Sequence, residues 1–269
     1  MGIGTAMYNA LTGLDCFSTA ISVVSDNVAN SGTTAFKSNK ARFGDLVNTY
    51  YALQSNQAQG EGSGACVMGI QTDFAQGVPI ETSSWSDLAI GGEGFFIVED
   101  PTSGTTYYTR DGSFHLDENN NLVNQLGYVV QGYAGGAGAL TEVTLADPPG
   151  GAYYVSMYVE TDGTLHTLDS TGATDTPFLI GLSAFSNKNG LTRQGKNLYT
   201  AGPDHGTQYY NIDTPGMFGQ VMDNTLESSN VDIAKEMVDM ILYQAGYNAN
   251  SKVITTASDM VATTINMIR

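Results

Sequence analysis

Residues 3–28 read IGTAMYNALTGLDCFSTAISVVSDNV, and their apolar members recur at alternating steps of four and three: Ile3, Met7, Ala10, Leu14, Phe17, Ile21, Val24 and Val28. Such spacing lays one apolar stripe along a helix, at the a and d positions of a heptad. The opposite side is Thr, Ser, Asn and Asp, and Asn30-Ser31-Gly32 supplies a stop. The reading is a helix about 40 Å long whose stripe must be covered by something else.

The other end of the chain repeats the theme. Ser228-Ser229-Asn230 offers N-cap candidates, with Asp232 and Glu236 favouring an early turn. Val231, Ala234, Val238 and Ile241 form one stripe. Tyr247, Asn250, Ile254, Ala257, Val261, Thr264 and Ile268 form a second, out of step with the first, which predicts a local change of phase. Apolar residues off the stripes (Leu11, Val23, Met240, Leu242, Met260, Met267) predict more than one neighbour for each helix.

Between the ends the composition changes. The chain has 269 residues and a formal charge of −17, and residues 61–226 hold 19 acids against four bases. Residues 1–60 balance three acids with three bases, and residues 227–269 carry five acids and three bases. A field of this sign excludes nucleic-acid binding through phosphate neutralisation. No apolar run reaches the ~20 residues of a membrane span, so no membrane insertion is expected. The opening residues show neither a basic n-region nor an apolar h-region, and a cleaved signal is not expected.

The acidic centre reads as short strands. Leu88-Ala89-Ile90, Phe95-Phe96-Ile97-Val98, Tyr128-Val129-Val130 and the run Phe178 to Leu182 are strand candidates. Asp111-Gly112 and Asp162-Gly163 predict type I′ hairpins. The fold class is therefore α+β: long N- and C-terminal helices pairing as a coiled coil, and a central antiparallel β-rich domain, sandwich or partly closed barrel. The expected divisions are helix 1–30, connector 31–64 with its Gly/Ser/Gln stretch at 55–64, β domain 65–225, and helix 226–269. If the helices pair, the first and last strand regions lie close together.

Candidate chemistry is thin. Asp117-Glu118-Asn119-Asn120-Asn121 begins like a calcium loop, but Leu122 replaces the sixth-position glycine and Tyr128 the twelfth-position carboxylate. A hairpin turn is the better reading. Gly92-Glu93-Gly94 precedes a strand and lacks a third glycine, so it fails as a nucleotide fingerprint. His115, His166 and His205 show no ligand spacing, and Cys16 and Cys66 form no zinc or disulfide framework, their pairing being undecided by sequence. No enzyme and no cofactor are expected. A secreted adhesive or carbohydrate-binding β domain with helical multimerising ends is the alternative; a glycosidase has no motif to support it.

Several stretches together resemble a known family. Leu11-Thr12-Gly13-Leu14-Asp15 with Asp26-Asn27-Val28-Ala29-Asn30-Ser31-Gly32-Thr33-Thr34-Ala35-Phe36-Lys37 resembles the amino-terminal signature of the bacterial flagellar rod and hook proteins. Gly92-Glu93-Gly94-Phe95-Phe96, Tyr108-Thr109-Arg110-Asp111-Gly112-Ser113-Phe114 and Asn187 to Tyr199 are similar to its central motifs. Leu226-Glu227-Ser228-Ser229-Asn230-Val231-Asp232 through Lys252 is similar to its carboxy-terminal signature. Asp26 departs from the family's usual Asn, Ala35 from its common Gly, and Ala245-Gly246 from its usual Arg-Ala.

The resemblance implies a structural subunit of a hollow helical filament in the flagellar hook or basal-body rod, transmitting torque for motility. It implies a homo-oligomer that meets adjacent flagellar axial proteins and is exported by the flagellar type III apparatus. The candidate assembly interface is Ile3, Met7, Ala10, Leu14, Phe17, Ile21, Val24, Val28, Val231, Ala234, Val238, Ile241, Tyr247, Ile254, Ala257, Val261 and Ile268. Length suits a distal rod or a compact hook, while Phe36-Lys37-Ser38, Phe43 to Leu46 and Asp73 to Gly77 incline the reading to the hook.

Overall fold

A computed structural model describes residues 3–48, 61–135, 138–145, 154–170, 172, 174–214 and 216–268. The chain forms two compact units. One comprises residues 1–31, 38–73 and 231–269; the other comprises 32–37 and 74–230.

The first unit holds helix α1 (Ile3–Ala29), strands β1 (Asn39–Asn48) and β2 (Glu61–Thr72), and helix α2 (Ile233–Ile268). The stop signal acts where it was read: Asn30 N donates to Asp26 O at 3.1 Å, and the Asn30 amide also bonds the Asp26 carbonyl. At the start of α2 the cap is Asp232, not Ser228, Ser229 or Asn230. Its Oδ1 accepts from Ala234 N at 3.0 Å and Lys235 N at 3.3 Å, satisfying amides that lack helical partners.

The two helices run antiparallel against each other. Ascending α1, Gly13 lies against Asn250, Phe17 against Tyr243 and Gly246, and Asn27 against Glu236. The β1–β2 hairpin pairs from Asn39↔Thr72 to Asn48↔Glu61 and leans on α1. There, Ala65 N donates to Thr12 Oγ1 at 3.3 Å and the Asn9 amide donates to Gly62 O at 3.2 Å. Phe43 of β1 closes an aromatic trio with Phe17 and Tyr243. Residues 31–64 are thus more than a connector: β1 and the start of β2 fall inside them. Of the stretch 55–64, residues 55–60 lie outside the described residues and 61–64 are strand.

The second unit begins with β3 (Pro79–Glu81), β4 (Leu88–Gly91), β5 (Phe95–Glu99), β6 (Thr106–Thr109), β7 (Phe114–Leu116) and β8 (Leu122–Asn124). It continues with β9 (Val129–Ala134), β10 (Leu140–Glu142), β11 (Tyr154–Val159), β12 (Thr164–Asp169), β13 (Thr174–Ile180) and β14 (Leu182–Phe185). The last strands are β15 (Leu191–Gly195), β16 (Leu198–Ala201), β17 (Gln208–Tyr210), β18 (Gln220–Asp223) and β19 (Thr225–Glu227). The described ladders are antiparallel, and the main path runs β11-β12-β13-β9-β5-β6-β16-β15. Phe96, Val98, Leu122, Val130, Leu165 and Ile180 form its driest core. A smaller cluster of Phe95, Ile97, Tyr108, Phe185 and Tyr199 lies apart from it.

The unit's two chain ends meet, as the pairing of terminal helices requires: β3 pairs β19 and β4 pairs β18. Asp162-Gly163 does turn the β11–β12 hairpin, Thr164 N donating to Asp162 Oδ1 at 2.8 Å, but only Gly163 has a positive φ (91°), so the turn is not of type I′. Asp111-Gly112 does not make a hairpin. β6 pairs β5 and β16, while β7 pairs β8. Asp111 instead folds back on Ser113, and Gly112 O accepts from Leu88 N at 3.0 Å. A Cβ on Gly112 would lie 1.8 Å from the Leu88 oxygen, so the glycine serves a close backbone approach.

Candidate assembly surface

The face of α2 turned to α1 includes Glu236, Tyr243, Gly246, Asn250 and Ala257. Positions 236, 243, 250 and 257 keep one unbroken seven-residue step, so the contact face undergoes no change of phase. This differs from the two-stripe reading. In the first half of α2 the contact residues are a carboxylate, a phenol and a glycine, which an apolar pattern does not register.

Burying Glu236 requires a partner, and α1 provides it. Asn27, fully buried, donates to Glu236 Oε2 at 3.1 Å and to Asn39 O at 2.8 Å, and its carbonyl accepts from Asn39 N at 2.8 Å. One amide thereby joins α1, β1 and α2 with its polar atoms satisfied. Beside it, burial pushes the Tyr243 phenol up, with the Asp239 and Glu236 carboxylates adding to the effect.

The residues read as an assembly interface divide three ways. Ala10, Val24 and Ala257 are buried; Met7, Leu14, Phe17, Ile21, Val28, Val231 and Ile254 are half-buried. Ala234, Val238, Ile241, Tyr247 and Val261 are exposed. The side chains of Ile3 and Ile268 lie outside the described residues. Val238 and Ile241 belong to an outward strip with Ile233, Met237 and Leu242, each 49–65% exposed. Spacings of three and four put these five side chains on one side of α2, away from Glu236 and Tyr243.

In the second unit, sequence reasoning missed a buried ionic cluster. Lys37 Nζ donates to Glu227 Oε1 at 2.5 Å and to Ala75 O at 2.9 Å. Gly77 N donates to the same carboxylate oxygen at 2.7 Å, and Arg110 Nη1 reaches Glu227 Oε2 at 3.4 Å. Arg110 also donates to Gly92 O at 2.8 Å and lies over the Phe95 ring. The three charged side chains are 0%, 1% and 4% exposed for Lys37, Glu227 and Arg110. Burial pulls the Lys37 ammonium and the Arg110 guanidinium below their ordinary values, and Glu227 opposes both shifts. Ala35 N donates to Glu227 O at 2.7 Å and Asn230 N to Phe36 O at 3.3 Å, so backbone and charge together clasp the ends of the unit. The only hint in sequence was that Lys37, Arg110 and Glu227 each sit inside a family-like motif.

Nothing in this arrangement resembles a reacting centre. Among the described residues no three His, Cys, Asp or Glu side chains converge as metal ligands. Asp117 closes a turn, its Oδ1 accepting from Asn119 N and Asn121 N. Those hydrogen bonds, the Asn121 one first, hold its carboxyl below the usual range. No described helix is long and apolar enough to cross a membrane.

Comparison with known proteins matches three segments: residues 7–37 to the flagella basal body rod protein family, 89–167 to the flagellar hook protein FlgE/F/G D1 domain, and 222–267 to the flagellar basal body rod FlgEFG protein C-terminal domain. The flagellar basal-body rod protein FlgG of Bacillus subtilis is 31% identical over 98% of this chain and 99% of its own length. The chain belongs to the flagellar rod and hook protein family. FlgG of Buchnera aphidicola subsp. Baizongia pistaciae is 34% identical over 95% of this chain and 96% of its own. The flagellar hook protein FlgE of Salmonella typhimurium is 23% identical, over 96% of this chain and 98% of its own.

As a rod and hook protein, the chain is a structural subunit of the bacterial flagellum. Its family-like motifs now have physical work assigned. The amino-terminal signature carries Asn27 and Lys37, the central one Arg110, and the carboxy-terminal one Glu227 and Glu236. Each forms a buried polar contact within its own unit.

Proposed function

We propose that this chain is a rod subunit of the FlgG type, polymerising into a hollow helical tube in the flagellar basal body. The observation that carries the reading is the match in length as well as sequence to FlgG proteins. The hook protein aligns only across 407 positions against a chain of 269 residues, so long segments of it have no counterpart here. That outweighs the hook-like local motifs at Phe36, Phe43 and Asp73.

In this reading α1 and α2 pair as a coiled coil, and the central sheet forms a partly closed barrel. The candidate interface residues serve two purposes. Ala10, Leu14, Phe17, Val24, Ile254 and Ala257 hold the helices of one copy together, while Val238, Ile241 and Val261 face other copies. Adjacent axial proteins cap the tube, and export through the flagellar type III apparatus delivers the subunit. Exposed apolar side chains at 49–65% on one helix face support polymerisation, because water disfavours such a strip.

Electron microscopy of the concentrated full chain tests the reading. Straight tubes are expected, and Val238→Lys with Ile241→Lys abolishes them while far-UV circular dichroism is unchanged. Curved, compressible tubes point to a hook, and a chain that stays monomeric at millimolar concentration overturns the reading.

A further inference from the structure

Strand β2 runs alongside α1 in a fixed register. The Asn9 amide donates to Gly62 O at 3.2 Å, and Ala65 N donates to Thr12 Oγ1 at 3.3 Å. Farther up, Asn27 binds both backbone groups of Asn39, which pairs across the hairpin with Thr72. Helix and strand therefore ascend together, residues 9, 12 and 27 of α1 keeping step with 62, 65 and 72 of β2. Cys16 lies one turn above Thr12, an advance of about 6 Å, and Cys66 lies two residues above Gly64, an advance of about 7 Å. The two cysteines of the chain thus stand at one level.

They also share a side. A Cβ on Gly64 would fall 2.1 Å from Thr12 Oγ1 and 3.4 Å from Asn9 Cα, so that side of β2 faces α1, and strand alternation returns Cys66 to it. On the helix, Thr12, Cys16, Ala20, Val23 and Asn27 follow steps of four and three, one stripe that begins and ends on the hairpin. Cys16 is buried, and Cys66 is half-buried opposite Gly44 of β1, where a Cβ would come 3.8 Å from its Sγ. Burial pushes the Cys16 thiol up, with Asp15 and then Cys66 adding to the effect. Both thiols are free.

We propose that Cys16 and Cys66 are a redox pair whose disulfide pins the β1–β2 hairpin to α1. The oxidant is an external disulfide. Cys66, the more open of the two, attacks it as the thiolate: its sulfur bonds to one oxidant sulfur, and the other leaves as a thiolate. Cys16 then gives up its proton and attacks the Cys66 sulfur, expelling the second oxidant thiolate. Two protons and two electrons pass from the chain to the oxidant, which ends as two thiols. The closed ring spans residues 16–66 and takes in the upper half of α1 and all of β1, so the bond acts chiefly by restricting the unfolded chain. An oxidising setting fastens the hairpin and a reducing one releases it. The pin needs no second copy and does not rest on the filament reading.

Oxidised glutathione is the probe. The reduced full chain is incubated with it, alkylated and digested for mass spectrometry. The expected product is a monomer lacking two hydrogens, with the peptides of Cys16 and Cys66 linked. Its urea unfolding should shift toward the folded state by on the order of a hundredfold, and dithiothreitol should reverse the shift. Cys16→Ala should stop at a lasting glutathione adduct on Cys66, whereas the native chain passes through that adduct and loses it. Cys66→Ser, changed at the half-buried position, covers the case in which a change in α1 disturbs folding. It should unfold at the midpoint of the reduced native chain and not respond to the probe. A native chain that keeps its adduct, links Cys66 to Cys66 of another copy, or reacts at neither thiol overturns the pair. Tubes formed by that same sample would leave the filament reading standing.

Discussion

Asn27 and Glu236 stand 209 positions apart in sequence and share a buried hydrogen bond of 3.1 Å, the point at which the two terminal helices are locked in register. Sliding one helix by a turn would separate this pair and strand a carboxylate in a site that is 6% exposed. Apolar contacts tolerate such slippage; a buried charge with one partner does not.

Asn27→Ala should therefore destabilise the helix pair by roughly 2–4 kcal/mol, since it leaves Glu236 and both Asn39 backbone groups without that amide. Glu236→Gln, still able to accept the bond, should lose under about 1 kcal/mol. Urea unfolding followed at 222 nm checks both. Equal losses for the two substitutions would mean that the amide acts only through the Glu236 carboxylate and that its bonds to Asn39 contribute nothing.

The Lys37–Glu227–Arg110 cluster makes an asymmetric prediction. Glu227→Ala abandons two buried cations and should destabilise the second unit by about 3–5 kcal/mol. Lys37→Met keeps the Arg110–Glu227 contact and should lose only about 1–2 kcal/mol. Trp85, the single tryptophan and 38% exposed in this unit, reports the unfolding by fluorescence. A larger loss for Lys37→Met than for Glu227→Ala would contradict the charge argument.

Alkaline pH gives a third. Burial pushes the Tyr199 phenol from 10.0 up to about 12, outweighing the nearby Arg193 and Arg110 charges. The folded state then holds its proton more tightly than the unfolded chain. The contribution is fully present below pH 10 and is lost as pH rises through about 12. The loss amounts to about 2–3 kcal/mol. Tyr199→Phe preserves the ring contacts with Phe95 and Phe74 and should flatten the decline in urea midpoints between pH 10 and 11.5.

These contacts also show where sequence reading stops. The end of α1 was legible because its stripe and its stop signal, Asn30-Ser31-Gly32, are local. The Asp162-Gly163 hairpin was legible for the same reason. Asp111-Gly112 misled because β6 finds its neighbours in β5 and in β16, ninety residues away, and a dipeptide cannot record that competition. The face of α2 that meets α1 was hidden because apolarity stood in for contact, while Glu236, Tyr243 and Gly246 make the contact. Lys37 and Glu227 carry opposite charges, but so do many pairs in a chain with 27 acids, and only the fold selects this one.

Gly246 brings the helix argument to a sharp test. By intrinsic propensity, replacing a mid-helix glycine by alanine stabilises by about 1 kcal/mol. Here a Cβ would fall 2.6 Å from the tip of the Phe17 ring. That ring is held by Phe43 and Tyr243 at centroid distances of 6.1 and 6.3 Å, so it has little room to withdraw. Overpacking of this kind typically costs about 1–3 kcal/mol and should cancel or reverse the propensity gain. Gly246→Ala should thus leave the thermal midpoint unchanged or lower, although alanine is the better helix former. In a Phe17→Leu background, where the ring is gone, the same substitution should recover its gain of about 1 kcal/mol. A double-mutant cycle by thermal circular dichroism measures the difference. Additive effects would show that Phe17 does not read the missing side chain, and that the glycine weakens α2 for nothing.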